Sequence, residues 1–251
     1  MKLAAVILTY NEAAHVAECI ASVQFADLVI VFDSFSTDET VKLARAAGAE
    51  VIQHAFKDYA DQRNAALDAM RGRADWVLFV DADERVTPRL ADEARDAIGW
   101  PGYAGFRIPR DNYIFGKLTR GAGWYPDYQT RLLKVGAARF DPARQVHETA
   151  LLDGELGTLE HPFIHYNYRD VRQFHEKQRR YTAYDAQMMY AQGIRPKPQN
   201  YLLQPLRQFR WRFITLKGYT DGLHGLHLSL LMAWNEFRKY WLLRGLWKGE
   251  L

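Results

Sequence analysis

The stretch "DWVLFVDADERV", Asp75 to Val86, decides how this chain folds. Trp76 to Val80 is wholly apolar, and three carboxylates, Asp81, Asp83 and Glu84, follow it directly. A run this short and this apolar reads as a strand buried on both faces. Similar runs come earlier, at Ala4–Leu8, Leu28–Phe32 and Val51–Ile52. Between them lie helical patterns with readable ends. Asn11 is a candidate cap for the pattern in which Val16, Ile20 and Val23 share one face. "STDETVKLARAAG" (Ser36–Gly48) opens with a capping box, Ser36 to Glu39, and closes on Gly48. Asp58 caps the next pattern and Gly72 stops it. After the quoted strand, Thr87 is an N-cap, Pro88 occupies the first helical position and Gly99 terminates. Alternation of this kind predicts an α/β fold with right-handed crossovers and a doubly wound, mostly parallel sheet.

The 251 residues, 48% hydrophobic and 25% charged, suffice for one large domain or a domain with an appendage. A single cysteine, Cys19, excludes an intrachain disulfide framework and fits a reducing compartment. Met1-Lys2 leads into "LAAVILTYNE", too short an apolar run for a secretory leader. No segment reaches the roughly 18 apolar residues of a bilayer span; "LHLSLLMAW" (Leu226–Trp234) stops at Asn235-Glu236. The net charge of +3 is unevenly spread: −7 over residues 1–98, +3 over 99–194 and +7 over 195–251. The basic tail also carries ten aromatic residues. Basic plus aromatic fits an anionic surface partner, and a solvated helical face over a buried aromatic stripe fits the pattern equally well.

Beyond Gly99 the pattern shortens. "YAGFRIPRDNYIF" (Tyr103–Phe115) alternates, "QTRLLKV" and "ARF" suggest a hairpin around Gly136, and His147–Tyr168 reads as further short strands. From Asp170 a helix runs to Gly193. "RPKPQ" (Arg195–Gln199) breaks it, and amphipathic helix follows with interruptions at Gly218, Gly222 and Gly225. The expected organisation is a domain over 1–170, halved at residue 98, and a helical, basic-aromatic extension over 171–251.

Three strands end in chemically capable groups: Thr9-Tyr10-Asn11-Glu12, Asp33-Ser34 and Asp81-Ala82-Asp83. In a parallel sheet these endings share one rim, where ligands bind. Carboxylates two apart are hard donors suited to Mg²⁺ or Mn²⁺, and such a cation holds a diphosphate and acts as a Lewis acid on it. No G-x-G-x-x-G follows the first strand and no G-x-x-x-x-G-K-[ST] occurs anywhere, which argues against a dinucleotide oxidoreductase and a P-loop enzyme.

The segments "ILTYNE" (Ile7–Glu12), "VFDSFSTDET" (Val31–Thr40), "ADQRNAAL" (Ala60–Leu67) and "WVLFVDADE" (Trp76–Glu84) occur in the order and spacing of a known family. They resemble the inverting family 2 glycosyltransferases, whose nucleotide-sugar-binding fold is called GT-A. "GWYPDYQTRLLK" (Gly123–Lys134), "QVHETA" (Gln145–Ala150), "HPFIHYNY" (His161–Tyr168) and "GYTDGLHGL" (Gly218–Leu226) resemble the small bacterial enzymes that glucosylate the lipopolysaccharide inner core. The resemblance implies that 1–98 binds the nucleotide sugar, a UDP-sugar, and that 99–170 binds the acceptor. Thr9, Tyr10, Asn11 and Glu12 then line the nucleoside pocket, Asp33 bonds the base, and Gln62 and Arg63 lie near base or diphosphate. Asp81 contacts ribose or sugar, and Asp83 ligates Mg²⁺ or Mn²⁺. The chain departs from the common D-D-G-S by reading Asp33-Ser34-Phe35-Ser36, which keeps the first Asp and lacks the second Asp and the Gly.

An inverting transfer requires a base on the acceptor hydroxyl, opposite the leaving diphosphate. Asp127 and Glu148 are the candidates. By analogy His147, twenty residues after Asp127, is a further metal ligand, so Asp127 is the preferred base and Glu148 the alternative or an acceptor contact. His161 and His165 read as structural. Trp124 stacks on a sugar or fills a core, and Arg131 pairs with diphosphate or an anionic acceptor. The implied acceptor is a lipid-anchored saccharide, reached from the cytoplasm at the inner face of the cytoplasmic membrane through residues 195–251. A polyprenyl-phosphate glycosyltransferase and a non-catalytic nucleotide-sugar-binding module are the alternatives. Nothing in the sequence matches a nucleic-acid-reading module.

Overall fold

The computed structural model describes residues 1–141 and 150–250. The chain divides into two compact units. One comprises Met1–Arg110 and Asp127–His165, the other Asp111–Pro126 and Tyr166–Leu251.

In the first unit the opening residues alternate strand and helix. The elements are β1 (Leu3–Thr9), α1 (Val16–Ser22), β2 (Leu28–Asp33), α2 (Thr40–Ala46), β3 (Glu50–Gln53), α3 (Tyr59–Ala69), β4 (Trp76–Asp81), a short β5 (Glu84–Arg85) and α4 (Pro88–Ala97). The strands lie in the order β3-β2-β1-β4, all parallel. Chain order reverses between β1 and β4, so the ligand-binding rim lies beyond Thr9, Asp33 and Asp81. Both faces of the sheet are covered. Leu3, Ala5, Ile7, Trp76, Leu78 and Val80 pack with Val16, Ile20, Leu90 and Ala94 on one side. Ala4, Val6, Val77 and Phe79 pack with Ala60, Ala66, Leu67 and Met70 on the other. Successive residues of one strand thus enter different cores, which is why the quoted run has no polar position.

Past α4 the sheet changes direction. The strands are β6 (Tyr103–Ile114), β7 (Lys117–Thr119), β8 (Tyr128–Lys134), β9 (Ala138–Phe140), β10 (Ala150–Leu152), β11 (Glu155–Thr158) and β12 (Phe163–Tyr168). Strand β8 pairs antiparallel with β4 on one edge and β6 on the other. The start of β12 pairs with β5, setting His165 opposite Glu84.

The expected hairpin at Gly136 does not form. Gly136 makes the turn at φ +84°, but both edges of β8 are taken, and β9 pairs with β10. Two caps also differ. Helix α1 starts at Val16 and α2 at Thr40 because Asn11 and Ser36 are engaged elsewhere. Asn11 Oδ1 accepts from the Thr37 N–H at 2.8 Å, and Ser36 Oγ accepts from the Asn11 N–H at 2.9 Å. These residues tie the ends of β1 and β2 together. The caps at Asp58, Thr87 and Asp170 are as read, each accepting an N–H three residues on.

The second unit is mainly helical: α5 (Val171–Ala191), α6 (Asn200–Arg210) with a wide turn over Trp211–Thr215, and α7 (Gly222–Lys248). Ile114, Tyr168, Phe174 and Leu228 form its core. Gly225 lies inside α7 because a Cβ there would stand 1.9 Å from the Gly218 carbonyl oxygen. Among the described residues no helix is long and apolar enough to cross a membrane.

Candidate active site

The first unit gathers the charged strand endings. Asp33, fully buried at the end of β2, accepts from Thr9 Oγ1 (3.0 Å), from the N–H (2.9 Å) and hydroxyl of Ser36, and from Gln53 Nε2 (3.1 Å). A nucleobase reaches this carboxylate only by displacing one of those donors. Gln62 on α3 is buried, donates to Ser34 Oγ at 2.9 Å, and has an Oε1 with no hydrogen-bond partner among the described residues. Tyr10 is exposed, and Asn11 holds a left-handed conformation at φ +57°. The Glu12 N–H donates to Thr40 Oγ1 at 2.8 Å. Phe35, in the place of the glycine of D-D-G-S, also has positive φ, +58°, and an exposed ring. The backbone bend therefore survives the substitution.

Asp81 receives Arg131 Nη2 on Oδ2 and has Arg63 Nη2 at 3.7 Å from Oδ1. Burial pushes its carboxyl up, but Arg131, Arg63 and Arg110 together outweigh burial and hold it well below the usual carboxylate range. Arg63 is itself held over the rings of Phe79 and Phe140, at 5.3 and 5.5 Å. Asp83 Oδ2 lies 3.6 Å from Nε2 of His165, which β12 brings in opposite Glu84. A carboxylate beside an imidazole at a strand end is a donor pair that Mn²⁺ or Mg²⁺ accepts. Among the described residues no three His, Cys, Asp or Glu side chains are grouped to hold a metal ion. Asp83 and His165 are thus the side chains here that would offer a carboxylate and an imidazole to a divalent cation.

Asp127, directly before β8, is engaged. Arg110 Nε and Nη2 reach its Oδ2 at 2.9 and 2.6 Å, and Gln129 Nε2 reaches its Oδ1 at 2.9 Å. Arg110 also reaches Glu84 Oε1 at 3.2 Å, as does Arg131. Three arginines (Arg63, Arg110, Arg131) thus balance three carboxylates (Asp81, Glu84, Asp127) in one network. Trp124 belongs to the other unit. Its ring meets Tyr168 edge-on at 6.0 Å and lies under Arg212 at 5.6 Å. His147 and Glu148 lie outside the described residues.

Sequence reading missed Arg110 and the contact of His165 with Asp83. A signal existed for His165: it is two residues from the fully buried Phe163, on the inward phase of β12. His161 instead bonds Glu93 of α4 through its N–H and Nδ1, both at 2.9 Å, as a structural tie.

Comparison with known proteins gives this site a family. The sequence model of glycosyl transferase family 2 matches residues 4–139, more than half of the chain. The chain belongs to glycosyl transferase family 2. It is a glycosyltransferase with a mixed α/β fold of GT-A type and a helical C-terminal region. The lipopolysaccharide core biosynthesis glycosyltransferase LpsC of Rhizobium meliloti (strain 1021) is 25% identical, with 96% of this chain and 93% of that protein aligned. An uncharacterized glycosyltransferase of Rickettsia bellii (strain RML369-C) is 28% identical over 98% of this chain and 87% of its own length. Among solved structures, glucosyl-3-phosphoglycerate synthase from Mycobacterium tuberculosis, in complex with Mn²⁺, UDP and glucosyl-3-phosphoglycerate, matches with a TM-score of 0.39 at 23% identity. That match covers 43% of this chain and 44% of the other.

Proposed function

We propose that this glycosyltransferase moves a hexose, glucose from UDP-glucose, with inversion onto a saccharide of the lipopolysaccharide core. The observation that carries the reading is the unbroken chain of contacts from Asp81 through Arg131, Glu84 and Arg110 to Asp127. It links a donor-type strand end to a carboxylate fit to act on an acceptor. The full-length likeness to LpsC supports the choice of acceptor.

Thr9, Tyr10, Asn11, Glu12, Asp33 and Gln62 form the nucleoside side. Asp81 holds ribose or sugar, and Arg63 and Arg131 place positive charge beside the diphosphate. Asp83, with His147 and the adjoining His165, would hold Mg²⁺ or Mn²⁺, which when bound neutralises the departing diphosphate. Asp127 takes the proton from the acceptor hydroxyl as that oxygen bonds the anomeric carbon and the bond to UDP breaks. Glu148 is the other candidate for this step. The test is a panel of nucleotide sugars with core-truncated lipopolysaccharide, with and without Mn²⁺ or Mg²⁺. Metal-dependent UDP release with UDP-glucose is expected. No nucleotide release from any donor under either condition refutes the reading.

A lipid-anchored acceptor places the enzyme at the inner, cytoplasmic face of the membrane, against anionic lipid. Residues 195–251 carry +7 and expose Leu202 (65%), Leu206 (54%), Leu223 (84%), Trp234 (53%) and Trp241 (56%). Basic side chains contribute about 1 kcal/mol each near an anionic surface, and exposed apolar side chains anchor in the interface. The full chain is expected to sediment with phosphatidylglycerol vesicles and not with phosphatidylcholine vesicles. A Leu202→Glu, Leu206→Glu variant should lose most of that binding. Equal sedimentation of both proteins excludes this face.

A further inference from the structure

Glu84 is the side chain around which the site is built, yet it is fully buried and touches no surface a substrate can reach. Its Oε2 accepts the backbone N–H of Asp81 at 2.9 Å, bending the chain back as β4 ends. Its Oε1 accepts from Arg110 Nη1 and Arg131 Nη2, each at 3.2 Å. The two arginines then diverge, Arg131 to Asp81 and Arg110 to Asp127. The pair formed by Arg95 and Asp27 at the opposite end of β2 is a useful contrast. It joins α4 to a strand start and, among the described residues, leads to no other carboxylate.

We propose that Glu84 is a positioning residue that couples the donor aspartate to the acceptor carboxylate through Arg131 and Arg110. This role rests on the transfer reading above. The need for it follows from charge. When Asp127 takes up the acceptor's proton it becomes neutral, and Arg110 loses the anion it was paired with. When Asp81 turns to the donor sugar, Arg131 loses its anion in the same way. A largely buried guanidinium without a partner is strongly unfavourable. Glu84 already touches both arginines, so neither is stranded at either step. It also fixes their spacing, and with it the distance between the groups they hold. Misplacement of about 1 Å in such an arrangement costs on the order of 10²-fold in rate.

Glutamine at position 84 keeps the shape but removes the charge. It also turns an amide N–H toward either the Asp81 N–H or the two arginines, so one donor always faces another. The test is a double-variant cycle on the full chain, following kcat for transfer, with UDP affinity measured by calorimetry in the absence of acceptor. Glu84→Gln should lower kcat by about 10²-fold while UDP affinity stays within about threefold. Arg110→Lys alone should lower kcat by about tenfold, and in the Glu84→Gln background by less than about twofold, since the link is already cut. Should Glu84→Gln not fold, Arg110→Lys and Arg131→Lys are combined instead. These residues are linked through Glu84, so their joint loss in kcat should be smaller than the product of the single losses. Multiplicative losses in the cycle measured, or a Glu84→Gln enzyme with kcat within twofold of the parent, overturn the role of Glu84 alone. A parent chain that turns over no nucleotide sugar overturns the transfer reading and this role with it.

Discussion

Replacing Asp83 by alanine should cut metal-dependent transfer by about 10³-fold, in the range seen when a main electrostatic contact to a developing charge is removed. The expectation follows from where charge accumulates. The leaving diphosphate gains negative charge as the sugar departs, and three arginines nearby are already committed to Asp81, Glu84 and Asp127. A cation held at Asp83 would add to the positive charge that Arg63 and Arg131 bring to the diphosphate. Asp83 is the carboxylate of this strand end that stands beside an imidazole, 3.6 Å from His165 Nε2. The variant should bind UDP equally with and without Mn²⁺, whereas the parent binds more tightly with it. Calorimetry at both conditions separates this loss from damage to the nucleoside pocket. An Asp83→Ala enzyme of full activity would remove Asp83 from any role in holding metal.

The fold was legible where the signal is local. Asp58, Thr87 and Asp170 each satisfy an N–H three residues away, and strands buried on both faces leave uninterrupted apolar runs. It was not legible where one residue serves two distant segments. Asn11 and Ser36 have cap chemistry, but their partners lie 26 and 25 residues off, across neighbouring strands. The hairpin at Gly136 failed for a related reason: β8 finds both its partners by sheet order, not by proximity in sequence.

The candidate site divides along the same line. The endings of β1, β2 and β4 reach one rim by virtue of a parallel sheet, so their convergence could be read from the alternation alone. The arginines could not. Arg131 meets Asp81 across 50 residues and Arg110 meets Glu84 across 26. A buried ion pair leaves little periodic trace, because each partner looks like a charge misplaced in an apolar strand until the other is brought to it. Arg110 on β6 was visible only as such a charge.

Asp127→Asn should reduce transfer by about 10³-fold, within the range for loss of a general base, while leaving UDP affinity within about twofold. The geometry makes this the most exacting test of the proposed mechanism. The Asp127 carboxylate receives two N–H groups from one guanidinium and a third from Gln129. To accept a proton it must loosen Arg110, and Arg110 has Glu84 to turn to. Asparagine can still accept from Arg110 but cannot take the proton, so the arginine network persists and the chemistry stops. Glu148→Gln, measured alongside, decides between the two candidate bases. A collapse of transfer in Glu148→Gln together with an active Asp127→Asn would assign the proton to Glu148 and leave Asp127 as the anchor of Arg110. A collapse in Asp127→Asn with donor binding intact would place the proton on Asp127, at the acceptor end of the chain of contacts that begins at the strand Trp76–Asp81.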